Sequence, residues 1–190
     1  TKKLTRAIKE VSPSTKIIVG GNLAASSEML LRFCDVDVCA IGEGEKVIVN
    51  LVKYWEGVGA SEDYSELRKM KGIAYLDQDS NMVFTGYDVA IPATEFLDPD
   101  FGILEQYSNI DQYIKDPLIR YDFSHDPRSY EPHRLGKKQV VVITAKGCVA
   151  RCTFCHRWDK GIRYIPVTAM MERIDSLIQN YNVGYINFAD

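Results

Sequence analysis

The sequence predicts an α/β protein made of two successive α/β regions. Between residues 16 and 56, a short apolar strand, a glycine turn and an amphipathic helix occur twice in a row. Between residues 139 and 188, an apolar strand is followed by a cysteine-rich loop, a helix and another strand. Such alternation is typical of a parallel sheet covered by helices. We therefore expect functional residues on the loops that follow the strands.

Composition is that of a globular chain. The 190 residues are 46% hydrophobic, which is enough for a substantial core. A net charge of −3 with scattered Lys and Arg does not favour nucleic acid as a direct partner. No apolar run approaches the length of a membrane span, and the first residues do not resemble a signal peptide. Free cysteines arranged for a metal indicate a reduced, cytoplasmic setting.

The first region begins with the end of a helix that stops before Pro13. Two strand and helix pairs follow, and a glycine turn comes after each strand. We predict strands over 16–19 and 36–41, a helix that Ser26 and Ser27 open, and a helix over 47–55.

The middle of the chain carries weaker patterns. Residues 57–63 are typical of a linker, and residues 72–76 and 82–87 flank a turn-rich stretch that predicts a β-hairpin. Residues 98–136 are polar and contain several prolines, so we predict an irregular connector. His125 and His133 lie in it, and we interpret both as solvated loop histidines rather than functional ones.

The second region opens with a strand over 139–144, and its unbroken apolar run predicts burial on both faces. A helix follows from Val167, with Thr168 as its predicted cap and its methionines as core residues. Gly184 is predicted to end this helical region, and residues 185–188 form the next strand.

Three cysteines in the spacing C-x-x-x-C-x-x-C follow the first strand of this region, at Cys148, Cys152 and Cys155. Thiolates are the ligands that iron–sulfur clusters and zinc prefer, and eight residues are short enough for one metal centre. A four-iron cluster held by three cysteines keeps one iron open for chemistry. One alternative is a structural zinc site, for which His156 is the only nearby candidate as fourth ligand, although adjacent residues such as Cys155 and His156 rarely both reach one tetrahedral ion. Another is a disulfide framework, which leaves one of five cysteines unpaired.

This cysteine loop, with Phe154 in the aromatic position, resembles that of the radical S-adenosylmethionine (radical SAM) enzymes. The resemblance implies that the three cysteines hold a 4Fe–4S cluster whose open iron chelates S-adenosylmethionine. It also implies reductive cleavage to a 5′-deoxyadenosyl radical, with the electron supplied by a donor such as flavodoxin or ferredoxin. Phe154 would shield the cluster, and Asp190 would meet the amino group of S-adenosylmethionine. The family often shows G-x-x-x-R-x-R-S before its first helix, and this chain has residues 161–166 (GIRYIP) there.

The first region resembles the last part of the cobalamin-binding domain attached to many radical SAM enzymes. V-G-G-N precedes one helix and I-G-E-G-E follows the next strand. The resemblance implies that these turns approach cobalamin, through Gly20, Gly21, Gly42, Glu43, Gly44 and Glu45. The D-x-H-x-x-G motif, whose histidine ligates cobalt in many such domains, would lie before Thr1.

Together these resemblances predict three parts. Residues 1–60 would be the end of a Rossmann-like (flavodoxin-like) cobalamin-binding domain, 61–138 a hairpin and connector, and 139–190 the start of a partial (β/α) radical SAM barrel. We expect a radical SAM enzyme acting on a small-molecule substrate, with methyl transfer or cyclisation if cobalamin binds. The alternatives are a methylthiotransferase-like radical SAM protein acting on tRNA or protein, a zinc-binding module without catalysis, and a plain cobalamin carrier.

Overall fold

The computed structural model describes residues 1–58, 64–96, 98–115, 131–153, 155 and 161–189. The chain divides into two units, the first formed by residues 1–90 and 150–159 and the second by residues 91–149 and 160–190. The helices are α1 (Lys2–Val11), α2 (Ser27–Phe33), α3 (Gly44–Val58), α4 (Tyr64–Lys69), α5 (Phe101–Tyr107) and α6 (Val167–Tyr181). The strands are β1 (Ile18–Val19), β2 (Val38–Ala40), β3 (Ile73–Leu76), β4 (Met82–Phe84), β5 (Ile114–Lys115), β6 (Lys138–Val142), β7 (Ala145–Cys148), β8 (Gly161–Tyr164) and β9 (Val183–Phe188).

The first unit contains a four-stranded sheet in the order β1-β2-β3-β4. β1 and β2 are parallel, as the alternation of strand and helix predicts. The predicted hairpin is confirmed, and it extends this sheet, because β3 pairs antiparallel with both β2 and β4. One cluster of buried side chains includes Leu51 and Ile73, and a second includes Leu30 and Cys39.

The linker predicted over residues 57–63 differs in part from the structure. Gly57 lies inside α3, which continues to Val58. Residues 59–63 lie outside the described part of the chain, so the remainder of the linker prediction is not tested. α4 follows directly from Tyr64, and its Leu67 is buried in the core that α3 also lines.

The second unit contains a three-stranded sheet in the order β5-β6-β9 and a separate two-stranded ribbon of β7 and β8. β6 and β9 are parallel and α6 lies between them in the chain, which confirms the predicted strand–helix–strand unit. Buried residues of α6, Met170 and Leu177, pack against Val140 and Val142 of β6. β5 pairs antiparallel with β6 at the other edge.

The connector prediction was wrong for part of its length. Residues 98–136 contain α5 and β5, and the fully buried Ile114 of β5 belongs to the second core. The N-cap residue Asp100 accepts a hydrogen bond from the backbone N–H of Ile103, which explains how a helix begins in this polar stretch. The sequence pattern did not predict these elements, because the segment is rich in prolines and tyrosines and has few apolar positions at regular spacing.

Four smaller predictions about the second unit were wholly or partly wrong. β6 is not buried on both faces, since Val141 is 56% exposed. Pro166, not Thr168, is the N-cap of α6, and no side-chain cap bond is present. Asn182 ends α6 in the left-handed conformation at φ 54°, whereas Gly184 lies within β9. Of the two methionines assigned to the core, Met170 is buried and Met171 is half exposed.

Among the residues that the structure describes, no helix has both the length and the apolar character needed to cross a membrane.

Candidate functional site

The cysteine loop starts from the β7–β8 ribbon rather than directly from the sheet. Cys148 is the last residue of β7 and is paired with Gly161, the first residue of β8. Gly161 has φ 90°, and a side chain there would meet nothing within 4 Å. The ribbon therefore fixes the backbone at Cys148 and leaves open space opposite it.

The other two cysteines of the motif are exposed. The backbone N–H of Cys155 donates to the carbonyl of Cys152 at 3.1 Å, so a tight turn joins them. All five cysteines of the chain carry free thiols. The chemistry and exposure of the three motif cysteines suit an iron–sulfur cluster, because a thiolate that is neither in a disulfide nor buried in a core can reach a metal.

Within the described ranges, no three His, Cys, Asp or Glu side chains are grouped closely enough to hold a metal ion. Phe154 and His156 lie outside those ranges, as does Asp190. The three-cysteine ligand set and the roles predicted for Phe154 and Asp190 therefore stay predictions. The same holds for His125, whereas His133 is 70% exposed and lies 3.4 Å from Glu131, as a solvated loop histidine would.

Cys34 and Cys39 belong to a different environment. Cys39 lies on the central strand β2 and is fully buried among apolar side chains. Burial, and secondly the neighbouring Cys34, raise the pKa of the Cys39 thiol to about 11. Because metals bind the thiolate, a cysteine whose pKa is raised in this way is a poor ligand.

The two glycine turns meet at one edge of the first sheet. β1 and β2 are adjacent and parallel, so the loops after them leave the sheet at the same end. A Cβ at Gly20 would lie 3.8 Å from Ala40, the last residue of β2, which shows how closely the two segments approach. Gly21 has φ 67° and Gly44 begins α3, and beside both of them the space is open.

The turn after β2 contains glycines as well. Gly42 also has a positive φ, of 103°, which a side chain would strain. Glu43 and Glu45 accompany it at the start of α3. The structure thus brings the predicted cobalamin-loop residues together on one sheet edge.

A cavity of about 560 Å³ lies in the second unit, where α5, β5 and β6 contribute to its wall. Val141 pairs with Asn187 and Gln139 with Tyr185 across β6 and β9, so these residues share one face of the sheet. The volume falls in the range of small-molecule pockets. The wall includes Phe101, Leu104, Tyr113, Lys115, Gln139, Val141 and Asn187.

Arg173 of α6 lines a second, smaller cavity of about 270 Å³ in the same unit. Its guanidinium forms an ion pair with Asp98 and donates to the carbonyl of Ile143 at 3.3 Å. Burial lowers the pKa of Arg173 from its usual value. This arginine therefore ties α6 to the end of β6 and to the start of the segment that carries α5.

Sequence reasoning missed three residues at the β7–β8 ribbon. Lys146 and Arg163 are direct partners across the ribbon, and both lie over the ring of Phe96. The signal available in the sequence was the Gly161-Ile162-Arg163 stretch, but the pairing of Arg163 with Lys146 depends on a ribbon that the sequence pattern did not predict.

The comparisons with known proteins agree with this architecture. The chain is 31% identical, over 95% of its length, to the anaerobic magnesium-protoporphyrin IX monomethyl ester cyclase of Cereibacter sphaeroides. It is 22% identical, over 95% of its length, to the cytidylyl-2-hydroxyethylphosphonate methyltransferase of Streptomyces wedmorensis. Its fold matches the cobalamin-dependent S-adenosylmethionine radical enzyme OxsB, solved with aqua-cobalamin and S-adenosylmethionine bound, with a TM-score of 0.61 and 21% identity over 100% of the chain.

The chain is similar in sequence to the cyclase and the methyltransferase, and similar in fold to OxsB. It spans 26% of the cyclase, 35% of the methyltransferase and 24% of the OxsB chain. No model of a known protein family matches the sequence. The α/β fold predicted from the sequence is confirmed by the OxsB match.

Proposed function

We propose that this chain contributes the cluster-binding loop of a radical SAM enzyme, with Cys148, Cys152 and Cys155 as the ligands of a 4Fe–4S cluster. The observation that carries the proposal is the contrast among the cysteines: these three are exposed or half buried, while Cys39 is sealed in the core. The relatives support the same reading, since OxsB is a radical enzyme that binds S-adenosylmethionine.

When bound, the cluster would supply one electron for the reductive cleavage of S-adenosylmethionine to methionine and a 5′-deoxyadenosyl radical. The chain's own residues would hold and orient the cluster. The ribbon fixes Cys148, and the turn from Cys152 to Cys155 sets the spacing of the exposed thiols. The electron would come from a donor such as flavodoxin or ferredoxin, in a cytoplasmic setting, and Phe154 and Asp190 are proposed as further contacts to the cluster and to S-adenosylmethionine.

Metal content tests this proposal directly. The protein purified without oxygen is expected to contain about four iron and four acid-labile sulfide per chain, since a four-iron cluster has that composition. The variant with Cys148, Cys152 and Cys155 all changed to Ala is expected to contain neither. With dithionite and S-adenosylmethionine, only the unaltered protein should form 5′-deoxyadenosine. Stoichiometric zinc without sulfide would instead establish a structural metal module.

We further propose that the glycine edge of the first unit contacts cobalamin, through Gly20, Gly21 and the turn at residues 42–45. Support comes from the closeness of the two turns and from the open space beside Gly21 and Gly44. OxsB binds aqua-cobalamin on a fold that matches this chain with a TM-score of 0.61. The reaction would then be a methyl transfer or a cyclisation of a small molecule, the two reaction types that the relatives' names describe.

Binding of aqua-cobalamin, followed by its visible absorption, tests this second proposal. Gly21→Val is expected to weaken binding at least tenfold, because the side chain would fill the open space at the sheet edge. Gly86→Val is the matched control: Gly86 also has a positive φ, of 82°, but lies after the hairpin. Equal weakening by both variants would mean that backbone strain, not contact with the ligand, is responsible.

A further inference from the structure

Gln139 is a buried polar residue in the second unit. It lies on β6 and is only 7% exposed, yet its side-chain amide makes no hydrogen bond to any residue that the structure describes. Its backbone, in contrast, pairs with the strands on both sides, β5 and β9. Burying an amide without a partner costs free energy, so buried amides are normally hydrogen-bonded. The two N–H donors and the carbonyl acceptor of this side chain therefore call for a partner from outside the chain.

The cavity of the second unit gives such a partner a place to bind. Gln139 belongs to the wall of this cavity of about 560 Å³, and so does Lys115. The two residues are directly opposite each other in the antiparallel register of β5 and β6. Directly opposed residues share one face of a sheet, with their Cβ atoms about 5 Å apart. An amide and an ammonium group are thus neighbours in the cavity wall.

The remainder of the wall is mostly apolar. Six of the ten described residues that line the cavity are apolar or aromatic, including Phe101, Leu104 and Tyr113. None of these ten is Asp or Glu, and Lys115 is the one charged residue among them. An apolar cavity with a few polar groups is the usual form of a small-molecule site, and a positive group in its wall attracts an anion.

We infer that this cavity binds a small molecule that has an apolar body and a carboxylate group. The amide of Gln139 donates a hydrogen bond to a carboxylate oxygen, the ammonium group of Lys115 attracts the negative charge, and the apolar body packs against Phe101 and Leu104. Binding alone is proposed, with no bond made or broken. None of the ten described lining residues belongs to the cysteine motif, so the inference does not depend on the cluster proposed above.

Two fluorescent probes with the same ring and opposite charge test the inference, namely naphthoate and naphthylmethylammonium. We expect naphthoate to bind about tenfold more tightly than the cation. Gln139→Leu is expected to weaken naphthoate binding about tenfold, because it removes one hydrogen bond to a charged group. Gln106→Leu is the matched control and should leave binding unchanged, since Gln106 lies on α5 but not among the described lining residues.

The charge of Lys115 is tested separately. Lys115→Met is expected to remove most of the preference for naphthoate over naphthylmethylammonium, because the described wall then contains no charged group. Lys138→Met is the matched control, since Lys138 lies on the same strand as Gln139 and pairs with Asp111 at 3.0 Å. Equal binding of the two probes by the unaltered protein would overturn the inference, and so would naphthoate binding that Gln139→Leu leaves intact.

Thermal unfolding separates a binding role of Gln139 from a structural one. Without ligand, Gln139→Leu is expected to keep the unfolding midpoint or raise it, because an apolar group of similar size replaces an unpaired buried amide. A lowered midpoint would show that the fold itself needs the amide, and would overturn the inference. Four iron and four sulfide in a protein that does not bind naphthoate would leave the proposed cluster standing, whereas naphthoate binding without iron and sulfide would overturn only the cluster.

Discussion

Cysteines of two kinds occur in this chain, and they lie in regions of opposite character. Cys39 lies on the central strand of a four-stranded sheet, fully buried, with a thiol whose pKa is raised to about 11. Cys148 ends a strand of an isolated two-stranded ribbon and is half buried, and Cys152 and Cys155 are exposed. The same side chain is thus a core residue where apolar neighbours surround it and a candidate ligand where they do not.

The largest expected effect is the loss of metal when a cysteine of the motif is removed. Cys148→Ala is expected to abolish iron and sulfide binding, because a four-iron cluster with two protein ligands is not retained. Cys34→Ala should leave metal content near that of the unaltered protein, since Cys34 packs against the buried cluster of the first unit that contains Cys39. Iron and sulfide analysis of anaerobically purified protein provides the measurement. Loss of iron from the Cys34 variant would contradict the division into two kinds.

Glycines report the same contrast in packing. At Gly72, with φ 79°, an added Cβ would lie 3.0 Å from Val47 and 3.2 Å from the Ile41 carbonyl. Gly72→Ala should therefore destabilise the protein by about 3 kcal/mol, from backbone strain plus overpacking. Gly161→Ala, at φ 90° in open space, should cost only about 1–2 kcal/mol.

Urea unfolding of the metal-free protein compares these two glycine variants. Equal losses of stability would mean that the sheet edge near β3 is as open as the ribbon.

The raised pKa of Cys39 predicts a dependence of stability on pH. The folded protein holds the pKa of Cys39 at about 11, above the usual value of 9.0, so folding favours the neutral thiol. This contribution is complete below pH 9 and is lost as pH rises to 11. The difference between the two pKa values corresponds to about 2–3 kcal/mol of stability.

Unfolding free energies at pH 8.5 and 11, for the unaltered protein and for Cys39→Ala, isolate this contribution. Other groups titrate in the same window in both proteins, so the difference between the two slopes reports Cys39. Identical slopes would show that the thiol is not shielded from water in the folded protein.

The smallest effect concerns a single hydroxyl. Cys39→Ser would place a polar group among the apolar side chains of the first core, at a cost of about 2 kcal/mol. Cys148→Ser in the metal-free protein should change stability by less than about 0.5 kcal/mol, because its site is only half buried. Thermal unfolding without iron compares the two, and a larger loss for Cys148→Ser would reverse the assignment of their environments.

Local patterns in the sequence were enough to predict the α/β class, the parallel pairs β1–β2 and β6–β9, and the hairpin. They failed in the connector, where β5 and its buried Ile114 form only by pairing with β6. A two-residue strand has too few positions for a recognisable period, so its existence depends on the partner strand.

Three thiols within eight residues and glycine turns after two strands can be read directly from the sequence, because ligand type and backbone freedom are properties of individual residues. Which side chains surround these residues depends on the tertiary structure. The ribbon register places Lys146 opposite Arg163, and the approach of a distant segment sets Phe96 over both. The contacts of Phe96 join residues 50 or more positions apart, and the Arg163–Ile91 hydrogen bond spans 72 positions, so no local pattern encodes them.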